Sequence, residues 1–211
     1  MVTVRERHPL DAEGRVDIPL WLDGLDARGA LRDRGRLAAA CELAEEAARR
    51  PGTWVRSDGV ETSSFETGLE MADILAELRV DEDGLVAGIL YRAVREERLP
   101  LEEVRRQFGV TVATLVEGVL RMAAVSALQL GAVPKSVGDP EEQIDNVRKM
   151  LVALVDDVRV ALIKLAERTC VIRAAKQDAP ARRERIAREV ADVYAPLAHR
   201  LGIGQLRWEL E

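Results

Sequence analysis

The segment from Arg159 to Ala175 is apolar on almost every side of a predicted helix. Its sequence, RVALIKLAERTCVIRAA, interrupts a run of Val, Leu, Ile and Ala with only a few charged side chains. A helix that is apolar all round is normally buried, so we expect this segment to be the central helix of the fold. Its charged residues Lys164, Glu167 and Arg168 then need partners, because an unpaired buried charge is costly. They mark either a structural ion network or a pocket, and the residues alone leave both open.

Helical patterns account for most of the remaining chain, and no convincing alternating strand pattern is present. Aromatic residues make up only 3% of the 211 residues, so Leu, Val, Ile and Ala must fill the core, which favours packed helices. The sequence therefore predicts an all-α fold. The predicted helices cover residues 31–50, 65–78, 85–98, 101–108, 111–128, 159–175 and 180–199.

Breaks in the helical pattern predict the organisation of the chain. Residues 1–30 contain Pro9, Gly14, Pro19, Gly24 and Gly29, which favours a short N-terminal arm. Residues 31–200 are expected to form one helical domain, with a break over 81–84. The Leu201-Gly202 pair is expected to turn the chain into residues 201–211, the start of a linker.

Composition excludes several classes of protein. Hydrophobic residues make up 47% and charged residues 32% of the chain, which is typical of a globular protein. The net charge of -6 offers nucleic acid no overall attraction, and no apolar run is long enough to span a membrane. Cys41 and Cys170 lack CxxC spacing, as is usual for reduced intracellular thiols. We therefore expect a cytoplasmic protein with no membrane partner and no direct nucleic-acid contact.

Two further sets of polar residues have an ordinary structural interpretation. The chain has only two histidines, His8 and His199, which argues against a His-rich metal site and favours surface or capping roles. The basic residues of 182–188 alternate with glutamates at helical spacing, which favours a salt-bridged helix face over a nucleic-acid patch. Gly202-Ile203-Gly204 follows a helix and lacks the remaining residues of a phosphate loop, so a turn between helices is expected.

The end of the chain carries a specific resemblance. The run YAPLAHRLGIGQLRWELE, residues 194–211, is similar to the segment that links the hydrolase and synthetase domains of long RelA/SpoT-type (p)ppGpp synthetases. The same register extends back through EEQIDNVRKMLVALVDDVRVALIKLAERTCVIR, residues 141–173, and weakly through residues 70–97. The N-terminal MVTVRERHPLDAEGRVD looks like that of the monofunctional, synthetase-only branch. The resemblance implies an HD-domain-like helical bundle.

The resemblance also implies where a metal would lie. Active members hold manganese with a histidine, a His-Asp dipeptide and the aspartate of a KLADR motif. In the register set by MADILAEL, the first histidine falls on Thr67 and the dipeptide falls on Tyr91 and Arg92. The KLADR aspartate falls on Glu167, within KLAER. One of four positions keeps a plausible ligand, so we expect no metal in this domain.

The residues that activate the attacking water also differ from the active pattern. The acidic pair after the dipeptide falls on Arg95 and Glu96, and the asparagine after KLADR falls on Val171. A site without imidazole and carboxylate ligands cannot activate a metal-bound water, so we expect no hydrolysis. One hypothesis is that Arg92 pairs with Glu167 and balances the charge of the old pocket without metal.

These expectations leave three functional readings. The first is a catalytically inactive regulatory domain that tunes (p)ppGpp synthesis by a synthetase domain that follows it. The resemblance implies that the parent protein is a GTP pyrophosphokinase, which uses Mg and ATP and acts at the ribosome. The vestigial pocket of the regulatory domain is a candidate site for a guanine nucleotide. The second is an active metal-dependent (p)ppGpp phosphohydrolase with unusual ligands, and the third is a helical dimerisation or partner-docking module.

Overall fold

The computed structural model describes residues 8–50, 63–131 and 157–204, together with Leu206 and Leu210. These residues are helical almost throughout and contain no strand, only an isolated antiparallel bridge between Leu10 and Val16. They divide into two compact units, the first ending at Glu117 and the second beginning at Gly118. The predicted all-α class is confirmed.

The first unit contains five helices among its described residues, and a sixth begins in it. They are α1 (Ile18–Ala27), α2 (Arg34–Arg49), α3 (Ser64–Glu77), α4 (Glu82–Arg95), α5 (Leu101–Phe108) and α6 (Val110–Gly131).

Helix α1 lies within the segment predicted to be an N-terminal arm. The Asp17 side chain accepts a hydrogen bond from the Leu20 backbone N–H and so caps the helix. Pro19 lies in the first turn, where a missing N–H costs nothing, and a Cβ at Gly24 would meet open space. Trp21, Leu22 and Leu25 are buried, so the segment contributes to the core of the first unit.

Helices α3 and α4 pack closely because glycines line their contact. A Cβ at Gly68 of α3 would collide with the Ile89 carbonyl oxygen of α4, and one at Gly88 would lie 2.7 Å from a methyl carbon of Leu75. The predicted break over residues 81–84 was wrong beyond its first residue. Asp81 caps α4 through the Gly84 N–H, and Gly84 lies inside the helix, where a Cβ would collide with the Val80 side chain.

The second unit is built around the predicted central helix. Its described elements after α6 are α7 (Val158–Ala174), a 3₁₀ turn (Ala175–Gln177), α8 (Pro180–Glu189), a π-helical turn (Val190–Tyr194) and α9 (Ala195–Arg200). Asp157 caps α7 at its N-terminus. The burial of most of α7 confirms that this helix is central to its unit.

The predicted long helix after Pro180 is interrupted by the π-helical turn. Pro196 has no N–H and cannot donate to the carbonyl of Asp192, so a regular helix would lose a bond there. Instead the Ala195 N–H donates to the carbonyl of Val190, five residues back, which defines the wider turn. Gly202 adopts a φ of 72° and its N–H donates to His199, so the predicted turn at Leu201-Gly202 is confirmed.

Some expectations concern residues outside the described ranges. These are the end of the predicted helix of residues 31–50 at Pro51-Gly52, and a loop predicted from Pro134 to Pro140 in which Asp139 caps the next helix. Among the described helices, none is long and apolar enough to cross a membrane.

Candidate functional site

The C-terminal end of α4 carries a buried cluster around the Glu96 carboxylate. Arg92 Nη2 lies 2.8 Å from Glu96 Oε1, and Arg98 Nε lies 3.4 Å from Oε2. The Ser64 hydroxyl donates a hydrogen bond to the same Oε2. Ser64, Arg92 and Glu96 are 5%, 7% and 5% exposed. We call Ser64, Arg92, Glu96 and Arg98 the Glu96 cluster.

The Glu96 cluster joins three helices of the first unit. Ser64 opens α3, Arg92 belongs to the last turn of α4, and Glu96 follows that helix directly. Arg98 Nη1 donates to the Ala48 carbonyl oxygen at 2.6 Å, near the end of α2. The arginine at the predicted dipeptide position therefore takes part in the contacts that hold these helix ends together.

The other predicted positions of the first unit are also embedded in the fold. Thr67 is buried on α3, and its hydroxyl donates to the Ser63 carbonyl oxygen at 3.1 Å. Tyr91 is fully buried in α4, and Arg95 is partly buried as its last residue. The structure thus brings Arg92 and Glu96 into contact and places Thr67 and Tyr91 on the two closely packed helices.

The second unit carries a separate buried charge network on α7. Glu167 Oε2 accepts from Lys164 Nζ at 3.0 Å and from Arg168 Nε at 2.8 Å, while Arg168 Nη2 donates to Oε1 at 3.1 Å. Lys164 is 1% exposed and Glu167 is fully buried. The predicted charges therefore form an ion network, the first of the two possibilities that the sequence left open for them.

Two residues of this network were missed by sequence reasoning. Arg168 Nη1 lies 3.2 Å from Glu189 Oε1 at the end of α8. Both cations lie over the ring of Tyr194, with the Lys164 nitrogen 5.8 Å and the Arg168 guanidinium carbon 5.5 Å from its centre. Pro196, two residues after Tyr194, is the local sequence signal for the π-helical turn that contains Tyr194.

Electrostatics favour the charged form of Arg168. Burial acts to lower its pKa, but the nearby Glu167 carboxylate, with Tyr194 and Glu189, outweighs burial and raises the pKa above the ordinary value. Arg168 therefore stays protonated, and its pairing with Glu167 persists at any pH where Glu167 is ionised.

The predicted pair between Arg92 and Glu167 joins residues of different units and stays a prediction. The described partner of Arg92 is Glu96, and the described partners of Glu167 are Lys164 and Arg168. Val171 lies one turn after Glu167 on α7 and is partly buried.

Comparison with known families identifies the fold. The family model described as HD domain matches residues 40–204. The chain belongs to the HD domain family. This match includes every predicted site residue of both units.

The HD domain is similar along its whole length to longer proteins. It is 37% identical over 213 residues to the GTP pyrophosphokinase of Photobacterium angustum and 36% identical over 217 residues to that of Escherichia coli K12, each alignment covering all of the chain and 27% of the relative. It is 40% identical over 141 residues, 67% of the chain and 19% of the relative, to the bifunctional (p)ppGpp synthase/hydrolase SpoT of Escherichia coli K12. The HD domain is homologous to the N-terminal part of RelA/SpoT GTP pyrophosphokinases.

The side chains at the positions expected to hold manganese differ in chemistry from the ligands that the resemblance implies. In the part of the chain that the structure describes, no three His, Cys, Asp or Glu side chains converge as a metal site. A guanidinium at Arg92 has no lone pair to offer and repels a cation, and Thr67 supplies only a neutral hydroxyl. The Glu167 carboxylate already binds two side-chain cations.

A third cluster of the HD domain centres on Asp73 of α3. Its carboxylate accepts from Arg28 Nη2 at 2.6 Å and Trp21 Nε1 at 3.2 Å, and His8 Nε2 lies 3.3 Å from it. Burial acts to raise the pKa of Asp73, but the hydrogen bonds from His8, Arg28 and Trp21 outweigh it and lower the pKa. His8, for which a surface or capping role was predicted, is partly buried: its side chain is 11% exposed and lies against Asp73.

The predicted salt-bridged face of α8 is confirmed for Arg188 and Glu184, whereas Glu189 pairs with Arg168 of α7. Arg188 Nη2 lies 2.7 Å from Glu184 Oε1, and Arg182 Nε lies 3.1 Å from Asp178 Oδ2. The pair of Arg188 and Glu184 is exposed, as expected for a salt-bridged helix face.

Proposed function

We propose that this HD domain is a catalytically inactive, hydrolase-like regulatory domain of a stringent-response GTP pyrophosphokinase. It would tune (p)ppGpp synthesis by a domain that follows it. The observation that carries the proposal is the buried ion pair of Arg92 and Glu96, formed by two residues at positions where active relatives are expected to place metal and water-activating groups.

The chemistry of these positions supports the loss of hydrolysis. A metal-dependent hydrolase lowers the pKa of a bound water and neutralises developing phosphate charge. Arg92 can neutralise charge but cannot ligate a metal, and its guanidinium is already paired. Thr67 donates its hydroxyl to its own helix, so neither residue is poised to replace an imidazole ligand.

The relatives support the regulatory part of the proposal. The chain spans about 27% of the length of the GTP pyrophosphokinases that it matches in full. By resemblance, synthesis from GTP and ATP with Mg belongs to a separate synthetase domain, and action at the ribosome belongs to the longer protein. A non-catalytic neighbour can affect that synthesis through its own packing.

Pyrophosphate release tests the loss of hydrolysis. The HD domain is incubated with ppGpp and manganese beside an active family member as positive control. We expect no release. Release that requires manganese would instead establish the alternative, an active phosphohydrolase with unusual ligands, while ppGpp binding without release would support a guanine nucleotide as a ligand of a regulatory pocket.

Synthesis by the longer protein tests regulation. Arg168→Met disturbs the buried network of α7, whereas Arg188→Met removes only an exposed pair of α8. We expect the first to change the rate of ppGpp formation from GTP and ATP and the second to leave it unaltered. Equal rates in both variants would contradict a regulatory role, and a change in light scattering alone would favour a dimerisation or docking module.

A further inference from the structure

The side chain of Arg168 contacts both ends of the π-helical turn Val190–Tyr194. Arg168 Nη1 donates a hydrogen bond to Glu189 Oε1 at 3.2 Å, and Glu189 directly precedes the turn. The Arg168 guanidinium carbon lies 5.5 Å from the centre of the ring of Tyr194, which is the last residue of the turn. One side chain of α7 therefore spans the wider turn.

The π-helical geometry places these two contacts on the same side. In a regular α-helix, residues five positions apart point about 140° away from each other, because each residue turns the helix by about 100°. In the π-helical turn the Ala195 N–H donates to the carbonyl of Val190, so residues five positions apart lie nearly one above the other. Glu189 and Tyr194 have this spacing, so the wider turn presents both of them to one guanidinium.

The position of Arg168 depends in turn on Glu167. Both oxygens of the Glu167 carboxylate accept hydrogen bonds from the guanidinium, at 2.8 and 3.1 Å. Glu167 is fully buried and Arg168 is 8% exposed, so water screens their attraction weakly. The carboxylate of the KLAER motif is thus joined to the π-helical turn through a single side chain.

We infer that Arg168 is a positioning residue that stabilises the π-helical turn and thereby fixes the rotational phase of α9. Leu197 and Ala198 of α9 are 3% and 0% exposed in this phase. Any change that draws the guanidinium away from the turn should loosen α9 more than α7. The inference rests on contacts within the second unit and is independent of the proposed regulation.

Amide hydrogen exchange and couplings across hydrogen bonds test this role in the whole chain. Arg168→Met keeps an apolar side chain and removes the guanidinium, and Arg188→Met is the control because its pair with Glu184 is exposed. We expect Arg168→Met, but not the control, to speed exchange in α9 at least ~10-fold more than in α7. The coupling between the Ala195 nitrogen and the Val190 carbonyl carbon should weaken as well. A merely structural role would speed exchange in both helices by the same factor, and that result would overturn the inference.

A shortened chain separates this role from ordinary packing. Deleting Ala191, which is exposed, leaves Glu189 and Tyr194 four positions apart, and residues with that spacing share a face of a regular α-helix. The shortened chain no longer needs a wider turn, so adding Arg168→Met to it should speed exchange in α9 no more than in α7. Preferential loosening of α9 in the shortened chain as well would contradict the inference.

A milder substitution covers the case in which Arg168→Met does not fold. Glu189→Gln removes the charge at one end of the turn, where the side chain is partly exposed, and Glu184→Gln is its control on the same helix. We expect preferential loosening of α9 in Glu189→Gln and none in Glu184→Gln. Equal exchange rates in α9 for these two variants would refute the role of Arg168.

Discussion

Both oxygens of the Glu167 carboxylate accept hydrogen bonds from the guanidinium of Arg168, at 2.8 and 3.1 Å. The two residues are adjacent in sequence on α7, so this bidentate interaction joins neighbouring side chains of one helix. Lys164 adds a third bond from the preceding turn. The carboxylate in the KLAER motif therefore accepts hydrogen bonds from two cationic side chains of its own helix.

Loss of that carboxylate should be costly. Glu167→Ala leaves Lys164 and Arg168 buried without their shared partner, and breaking a buried ion pair on one side costs about 3–5 kcal/mol. We expect a loss of that size in the free energy of unfolding, measured by urea titration at neutral pH. The control is Glu184→Ala, whose pair with Arg188 is exposed and should contribute less than about 1 kcal/mol. Equal losses would show that the α7 network contributes no more than a surface pair.

The Asp73 cluster should make stability depend on acidic pH. The folded-state pKa of Asp73 lies below its ordinary value of 3.8, so its contribution to stability is present above that value. It should disappear as the pH falls from there through the lowered pKa, because the unfolded carboxyl takes up its proton first. Urea titrations between pH 2 and 6 should show a shallower acid loss for Asp73→Asn than for the wild type. Parallel curves for the two proteins would contradict a lowered pKa for Asp73.

The end of α3 should be stabilised by a glycine. Arg79 has a φ of 56°, in the left-handed region that costs most residues energy, and its N–H bonds back to Ala76 as a helix ends. Arg79→Gly should raise the melting temperature, with a gain of about 1 kcal/mol. Arg121→Gly, at an exposed position inside α6, should instead cost about 1 kcal/mol. The opposite signs distinguish relief of strain from a general effect of glycine.

The contact of α3 with α4 should not accept a methyl group. Gly68→Ala drives its Cβ into the Ile89 carbonyl oxygen, and since backbone cannot yield as a flexible side chain does, we expect a loss of about 1–3 kcal/mol. Gly24→Ala in α1 meets open space and should stabilise by about 0.5–1 kcal/mol. Thermal unfolding of both variants measures the difference. A neutral Gly68→Ala would mean that the two helices can move apart freely.

Local signals in the sequence predicted the helices whose ends they mark. Helix α5 was predicted at its observed bounds because Gly109 stops it, and α7 was predicted within one residue at each end because its apolar run is nearly continuous. Helix α1 was missed because Pro19 and Gly24 were read as breakers. Their positions in the helix, a first turn and an open face, make both residues harmless.

The sequence pointed to several residues of the buried charged clusters, but it did not predict which residues from other parts of the chain contact them. The register of the MADILAEL segment located Arg92 and Glu96, and an apolar helix with three charges located the α7 network. Their partners come from elsewhere in the chain, since Ser64 lies 32 residues before Glu96 and Glu189 lies 21 residues after Arg168. Such contacts depend on tertiary packing, which no local pattern encodes.

The π-helical turn at Val190–Tyr194 has a consequence for how the chain tolerates insertion and deletion. It adds about one residue to a turn, so every side chain after it is rotated by about 100° from where an uninterrupted α-helix would put it. Leu197 and Ala198 are buried only in this shifted phase. Deleting one residue here, so that the turn becomes a regular α-helix, leaves this phase unchanged, so homologues can keep the apolar stripe of α9 either with the π-helical turn or with one residue fewer and no such turn.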